Sequence, residues 1–216
     1  MASYSCKAFV LMSTDPSNAK VSARVVAFLR KGASYPGHVP SVQLKETHIS
    51  WVFLAGHHAF KLKKPVRFDF LDFSTVDKRR DACERELSLN RRLAPHVYLE
   101  VLPVLRRAGG GFALGRASHV GDGAVDWVVK MRRLNEQHTL AHHLTEVGAA
   151  ATTEEALRNV ARRLAKFYAA QAPLTLRTSD FRDRLRAHMR DNQAALLRLT
   201  TSAAETDTVE QVHSYQ

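Results

Sequence analysis

The stretch "WVFLAGHHAFKLKKPV" (residues 51–66) contains two apolar runs separated by a glycine and two histidines. Apolar runs on either side of a short glycine-containing turn are typical of a β-hairpin, so the stretch predicts two paired antiparallel strands. The second run carries Lys61, Lys63 and Lys64, although lysine is depleted in strands and is rarely buried without a partner. The sequence therefore predicts a strand whose lysines face an anionic group.

Segments around this hairpin extend the same pattern. The alternation of apolar and polar residues, with glycine turns between the later segments, predicts further strands at residues 42–50, 97–105, 111–115 and 126–134. Between them, residues 76–93 have a helical period, with Ser74 as a candidate N-cap and Pro95 just beyond the end. The predicted sheet is thus antiparallel, with one helix inserted after the hairpin.

Helical periodicity dominates the two ends of the chain. Residues 18–32 predict a short amphipathic helix, and after Asn135 strand patterns give way to three helical segments. Thr152 or Thr153, followed by Glu155, provides an N-terminal cap signal for the second of these three. The prediction is an α+β fold with a leader and helix, a sheet lobe and a helical lobe, at residues 1–34, 35–134 and 135–216.

Composition restricts the possible partners. The 216 residues are 45% hydrophobic and 25% charged, with a formal net charge of +11, which favours an anionic partner: nucleic acid, an acidic membrane surface or phosphorylated small molecules. Cys6 and Cys83 are too few for a disulfide framework, which fits a reducing compartment. The longest apolar run near the start is too short for a signal peptide or a membrane span, so we expect a cytoplasmic protein without a membrane partner.

The lysine-bearing strand and the inserted helix together predict a nucleotide site. A strand lysine held by a glutamate of the adjoining helix is how protein-kinase-like folds fix a cation against nucleotide phosphates. Ala59 and Lys61 share one face of the predicted strand, which suits adenine on Ala59 and phosphates at Lys61, with Lys63 as the second choice. Glu86 borders the apolar face of the helix, so we predict that it pairs with Lys61.

A glycine-rich phosphate loop is missing from the segment before the hairpin. Residues 45–52, "KETHISWV", contain no glycine. Thr47 and Ser50 are therefore the candidates to offer hydroxyls and backbone N–H groups to a phosphate.

The run of residues 46–104, together with "VVKMRRL" at residues 128–134, resembles a bacterial group of aminoglycoside-phosphotransferase-like proteins. The resemblance covers about residues 35–175 and implies a protein-kinase-like fold, with residues 35–134 as its N-lobe and 135–216 as part of a helical C-lobe. It implies ATP and magnesium as cofactors in the complete protein and a small hydroxylated molecule as phosphate acceptor. It makes Lys61 and Glu86 the nucleotide pair and puts Met131 in the strand that leads into the adenine hinge. Members often carry a further, C-terminal P-loop kinase domain.

The sequence departs from that group where catalysis would occur. The expected catalytic motif, HGDLHxxN, is absent: "HVGDG" (residues 119–123) precedes the hinge, and "HMRDN" (residues 188–192) falls in a helical pattern. "FY" at residues 167–168 replaces the usual "FH". The chain is therefore interpreted as the front part of such a protein, with no catalytic residue and no phosphate transfer of its own.

Two other interpretations compete with this one. A non-catalytic basic binding module, either a pseudo-kinase or an RNA-associated domain, fits the charge, although the arginine pairs are scattered and no aromatic residues interleave with them. His138 and His142 are four residues apart and raise the question of a metal, but a polar helix face explains them better because no third ligand is evident.

Overall fold

The computed structural model describes residues 16–68, 70–117, 123–145, 150–173 and 175–197. The chain is a mixed α+β protein that divides into two compact units, residues 1–160 and 161–216. The first unit contains every described strand, and the second contains helix. The α+β prediction is confirmed at this level.

The main sheet of the first unit is antiparallel and has six strands in the order β1-β2-β3-β8-β6-β7. A separate two-stranded hairpin, β4 with β5, follows β3 in the chain. The eight strands are β1 Val42–Glu46, β2 Ser50–Ala55, β3 His58–Lys63, β4 Arg67–Phe68, β5 Leu71–Asp72, β6 Tyr98–Arg106, β7 Phe112–Leu114 and β8 Ala124–Arg132. The predicted hairpin is confirmed, with Ser50 opposite Lys63 and Ala55 opposite His58.

The described residues contain five α-helices. They are α1 Pro16–Leu29, α2 Val76–Arg91, α3 Leu140–Thr145, α4 Ala150–Ala169 and α5 Thr178–Leu197, with short 3₁₀ helices at Gly32–Ser34 and Glu136–His138. Helix α2 is the predicted insertion between the hairpin and the later strands, and it ends two residues before the predicted limit at residue 93. None of the helices in the described ranges is both long and apolar enough to cross a membrane.

The two faces of the main sheet carry different cores, because side chains alternate along each strand. On one face, Phe60 and Leu62 of β3 pack with Val25 and Leu29 of α1. On the other face, Val129 of β8 packs with Cys83 and the rest of a smaller cluster that includes α2. The residues predicted to bind a nucleotide, Ala59, Lys61 and Lys63, alternate with Phe60 and Leu62 and so share the α2 face.

Two predicted helix caps are wrong. Thr75, rather than Ser74, caps α2: its hydroxyl accepts from the Lys78 backbone N–H at 3.2 Å. Ser74 is bound instead to the Asp72 carboxylate, through its hydroxyl at 2.6 Å and its backbone N–H at 3.0 Å. An ionised acceptor makes the stronger bond and holds Ser74 one residue short of the cap.

The cap predicted for the helix after residue 150 also differs from the structure. Helix α4 already includes Ala150, so Thr152 and Thr153 lie in its first turn. Alanine has the highest helix propensity, which explains why the helix extends upstream of the threonines. "HMRDN" lies within α5, as its helical pattern predicted, whereas most of "HVGDG" and of the leader lies outside the described residues.

Candidate functional site

The centre of the α2 face is a cluster of two lysines around one glutamate. Lys61 Nζ donates to Glu86 Oε1 at 2.8 Å, and Lys63 Nζ donates to Glu86 Oε2 at 2.6 Å. The strand period puts both lysines on the same face of β3, and α2 lays Glu86 over them. The predicted pairing of Lys61 with Glu86 is confirmed, and Lys63 shares the same carboxylate.

The two lysines differ in exposure. The Lys61 side chain is 28% exposed, whereas that of Lys63 is 5% exposed. The Lys63 ammonium also lies 4.9 Å from the centroid of the Phe73 ring, where a cation–π contact adds to its ion pair. Lys63 is therefore a structural partner of Glu86, and Lys61 is the cation that a ligand can reach.

Glu86 stays ionised in this cluster. Burial alone would raise its pKa, but hydrogen bonds from Lys61 and Lys63 outweigh burial and hold the pKa below its ordinary value. Two ammonium groups around one carboxylate leave a positive charge at the surface that Lys61 presents. A phosphate or carboxylate can interact with that charge without breaking the Lys63–Glu86 bond.

Thr47 and Ser50, the two candidates for a phosphate contact, are hydrogen-bonded to each other. The Thr47 hydroxyl accepts from the Ser50 N–H at 3.0 Å and lies 3.1 Å from the Ser50 carbonyl, to which it donates. This local turn uses the Thr47 hydroxyl, and its contact with a phosphate stays a prediction. The Ser50 hydroxyl itself is buried, directly across from Lys63, and has no hydrogen-bond partner among the described residues.

Ala59 and Met131 face each other across the β3–β8 pair. Ala59 is buried, and Met131 packs at the edge of the α2-side cluster. A cavity of about 490 Å³ lies at the β2–β3 turn, beginning two residues after Met131 in the chain. It is lined by Gln43, Gly56, His57, Arg133, Leu134, Asn135 and Glu136. Lys61 lies outside that lining, roughly 7 Å from Ala59 by the strand rise of about 3.3 Å per residue.

An ion pair that the sequence did not reveal borders this cavity. Lys45 of β1 donates to Glu136, in the segment that follows β8. The two residues are 91 positions apart, so no local pattern could connect them. The contact links β1, the edge strand next to β2, to the segment that follows β8.

A buried ion pair holds α2 in place. Arg79 Nε and Nη2 donate to the two carboxylate oxygens of Asp126 at 2.9 and 3.0 Å, and Nη1 donates to the Phe73 carbonyl at 3.0 Å. Both side chains are at most 1% exposed. Burial raises the pKa of Asp126, and the bonds from Arg79 oppose that shift. The sequence does not predict this pair, because a charged residue in an amphipathic helix normally lies on the solvent-exposed side.

The remaining candidates carry no assembled chemistry in the described ranges. No group of three His, Cys, Asp or Glu side chains within them could hold a metal ion. Cys83 of α2 is buried against the sheet, where burial raises the pKa of its thiol to about 12 and so disfavours the reactive thiolate.

The chain is similar to uncharacterized proteins of Mycobacterium tuberculosis (strains H37Rv and CDC 1551) and Mycobacterium bovis. It is 39% identical to each over 129 residues, which is 60% of this chain and 23% of each relative. The chain thus spans about a quarter of the length of the curated relatives it matches. No family model and no solved structure matches it.

Proposed function

We propose that this chain is the nucleotide-binding part of an ATP-dependent phosphotransferase with a protein-kinase-like fold. The observation that carries the proposal is the pair of a strand lysine, Lys61, and a helix glutamate, Glu86, at 2.8 Å. Kinase-like enzymes need such a pair to keep a long lysine side chain against the nucleotide phosphates. The acceptor would be a small hydroxylated molecule, as in the aminoglycoside-phosphotransferase-like group that the sequence resembles.

The order of elements supports the proposal. The lysine lies on the third strand, the glutamate on the helix that follows the hairpins, and β8 pairs directly with the lysine strand before leading out of the sheet. Ala59 and Met131 lie at that exit, beside the 490 Å³ cavity. A base in the cavity would leave its phosphates to run along β3 towards Lys61.

Lys63 and Ser50 refine this assignment. Lys63 keeps Glu86 paired when Lys61 turns to a phosphate, so the carboxylate is not left buried and alone. The Ser50 hydroxyl, which has no hydrogen-bond partner among the described residues, lies on the same face, across from Lys63, and is a further polar group that a phosphate oxygen could satisfy. In this proposal Lys61 contacts the nucleotide, and Glu86 and Lys63 position it.

Phosphoryl transfer itself requires groups that the described residues do not assemble. Catalysis of this type is mainly positioning and charge neutralisation, and Lys61 would contribute both. In the resembling group magnesium and a catalytic aspartate complete the site, and this proposal assigns both to the rest of a longer protein. We propose that this longer protein is cytoplasmic. It would also carry a C-terminal P-loop kinase domain, as members of the resembling group often do.

Calorimetric titration tests the proposal, with Mg-ATP and AMP against the wild type and Lys61→Met. We expect the substitution to weaken ATP binding at least tenfold and AMP binding less, because a strand lysine of this kind contacts the α- and β-phosphates and AMP carries only the first; tenfold corresponds to about 1.4 kcal/mol. The matched control is Lys64→Met, since Lys64 pairs with Glu46 at 2.6 Å instead of Glu86. Equal ATP affinity in wild type and Lys61→Met would contradict the assignment.

The net charge of +11 favours one competing function, a non-catalytic RNA-associated module. That function predicts tight, salt-dependent binding of a fluorescent RNA and no ATP binding by the wild type. Fluorescence anisotropy at two salt concentrations separates the two proposals, because RNA binding driven by phosphate contacts falls steeply with salt.

A further inference from the structure

The sheet carries a second cavity on the opposite face, beside α1. It has a volume of about 890 Å³, within the range of about 300–1,000 Å³ typical of small-molecule sites. Its walls are the end of α1 with the Gly32–Ser34 helix and the loop after it on one side, and β7 with the residues after it on the other. The floor is formed by β3, β8 and β6.

Aromatic and aliphatic groups line much of this groove. Tyr35 and Phe60 lie with ring centroids 4.6 Å apart, and Leu102 and Leu114 complete an apolar surface between the walls. Tyr35 is held rigidly, because its hydroxyl donates to the Leu29 carbonyl at 2.6 Å. Such a surface suits a flat apolar body.

A lysine and a glutamate interrupt the apolar floor. Strand register puts Phe60, Lys130 and Glu100 in one row across β3, β8 and β6. Lys130 Nζ donates to Glu100 Oε1 at 2.7 Å, and the two side chains are 24% and 35% exposed. An ammonium has three donors, and Glu100 is the only hydrogen-bond partner of Lys130 among the described residues. The remaining donors are free to bind a ligand.

Positive charge exceeds negative charge in the groove. Arg107 and Arg116 line it, are exposed, and have no ion-pair partner in the described part of the chain. With Lys130 they give three cationic side chains against one carboxylate, that of Glu100, among the described residues that line the groove. Burial, followed by the charge of Lys130, lowers the pKa of His58, so this neighbour stays neutral at pH 7. The groove therefore favours an anion over a cation.

We propose that this groove is a second ligand site, which binds a small amphipathic carboxylate. The apolar body would pack between Tyr35, Phe60 and Leu114, and the carboxylate would accept from Lys130. The site does not depend on the proposed nucleotide function, since Lys61 faces the other side of β3, and it shares only Gly56 and His57 with the cavity proposed for the base. Because Lys130 and Lys61 lie on different faces of the sheet, both ligands would bind together.

The test is a titration with 2-naphthoate, followed by calorimetry and by amide chemical shifts of the labelled chain. We expect saturable binding, shifts concentrated in the groove residues, and no change in affinity when Mg-ATP is present. The amine analogue, 2-naphthylmethylamine, should bind at least tenfold more weakly. Absence of saturable binding, equal binding of the amine, or shifts confined to α4 and α5 would each overturn the proposal.

Two substitutions with opposite expected effects guard against misfolding as an explanation. Lys130→Met should weaken 2-naphthoate binding about tenfold, as expected when a hydrogen bond to a charged group is lost. Glu100→Gln should strengthen it severalfold, because Lys130 then loses its competing carboxylate. A general loss of structure cannot increase affinity, so weaker binding in Glu100→Gln contradicts the proposed role of Lys130.

Discussion

Helices α1 and α2 cover opposite faces of one sheet and are held there by different forces. Helix α1 inserts Val25 and Leu29, both completely buried, into the larger apolar core. Helix α2 fully buries only Arg79 and Cys83 and packs Val76 and Leu87 at the edge of the smaller cluster. Charges also fasten it, through Arg79 to Asp126 and through Glu86 to two lysines.

This difference explains why the candidate nucleotide site lies under α2. Apolar packing is non-directional and tolerates small rotations of a helix, whereas a two-pronged arginine–carboxylate pair defines orientation as well as distance. With Arg79 held by Asp126, Glu86 lies two turns further along α2, above Lys61 and Lys63. Burial of charge thus gives a precise position for the carboxylate that holds the candidate ligand-binding lysine.

The largest expected effect tests the anchor of α2. Asp126→Ala leaves the Arg79 guanidinium buried and unpaired, which should lower the free energy of unfolding by about 3–5 kcal/mol. Urea denaturation of the purified chain measures the change. The matched control is Glu84→Ala, which removes the exposed Arg80–Glu84 pair and should cost no more than about 0.5 kcal/mol. Similar losses in both variants would mean that the buried pair does not anchor the helix.

An intermediate effect should distinguish the two helices by pH. Because the folded-state pKa of Glu86 lies below its ordinary value of 4.5, its stabilisation is complete above that pH and is lost as pH falls through the folded-state value. The free energy of unfolding of Glu86→Gln should therefore be about 2 kcal/mol below that of wild type at pH 7. This difference should become smaller below pH 4.5. Unfolding free energies at pH 7 and pH 3.5 measure it.

Leu29→Ala provides the comparison from α1. Its destabilisation, about 2–5 kcal/mol for a buried leucine, involves no titrating group and should be the same at both pH values. The difference in unfolding free energy between wild type and variant could narrow at low pH as much for Leu29→Ala as for Glu86→Gln. In that case the ion pairs of Glu86 would not be the cause of the pH dependence.

The smallest expected effect concerns Ser50. Its buried hydroxyl makes no hydrogen bond among the described residues, so Ser50→Ala should leave stability unchanged or raise it by up to about 1 kcal/mol. Thr47→Ala is the control, since the Thr47 hydroxyl makes two hydrogen bonds to the Ser50 backbone and should cost about 1 kcal/mol when lost. Thermal melts of both variants measure whether stability rises or falls. A clear loss of stability in Ser50→Ala would mean that the Ser50 hydroxyl makes a hydrogen bond that the described residues do not provide.

Much of the first unit was predictable because its signals are local. The hairpin around Gly56, helix α2 and the later strands follow from residue periods and turn residues, and the Lys61–Glu86 pair follows from putting a strand lysine beside the next helix. The Ser74 cap failed because the competing acceptor, Asp72, lies on a hairpin too short to have a period of its own.

Contacts between residues far apart in the sequence could not be predicted from such local patterns. Arg79 and Asp126 are 47 positions apart, and Lys45 and Glu136 are 91 apart, so their partners are set by which strands become neighbours. The Lys130–Glu100 pair and its groove depend on the same strand order. Each of these residues taken alone reads as solvent-exposed.

The sequence by itself determined the elements, the face of β3 that carries the lysines, and the net positive charge. These properties depend on residue type and spacing over a few positions. Only the tertiary structure decided that two lysines share Glu86, that Lys61 is the accessible one, and that a second groove lies behind it. Those outcomes depend on burial, which no residue has until the sheet order and the helix packing place its neighbours around it.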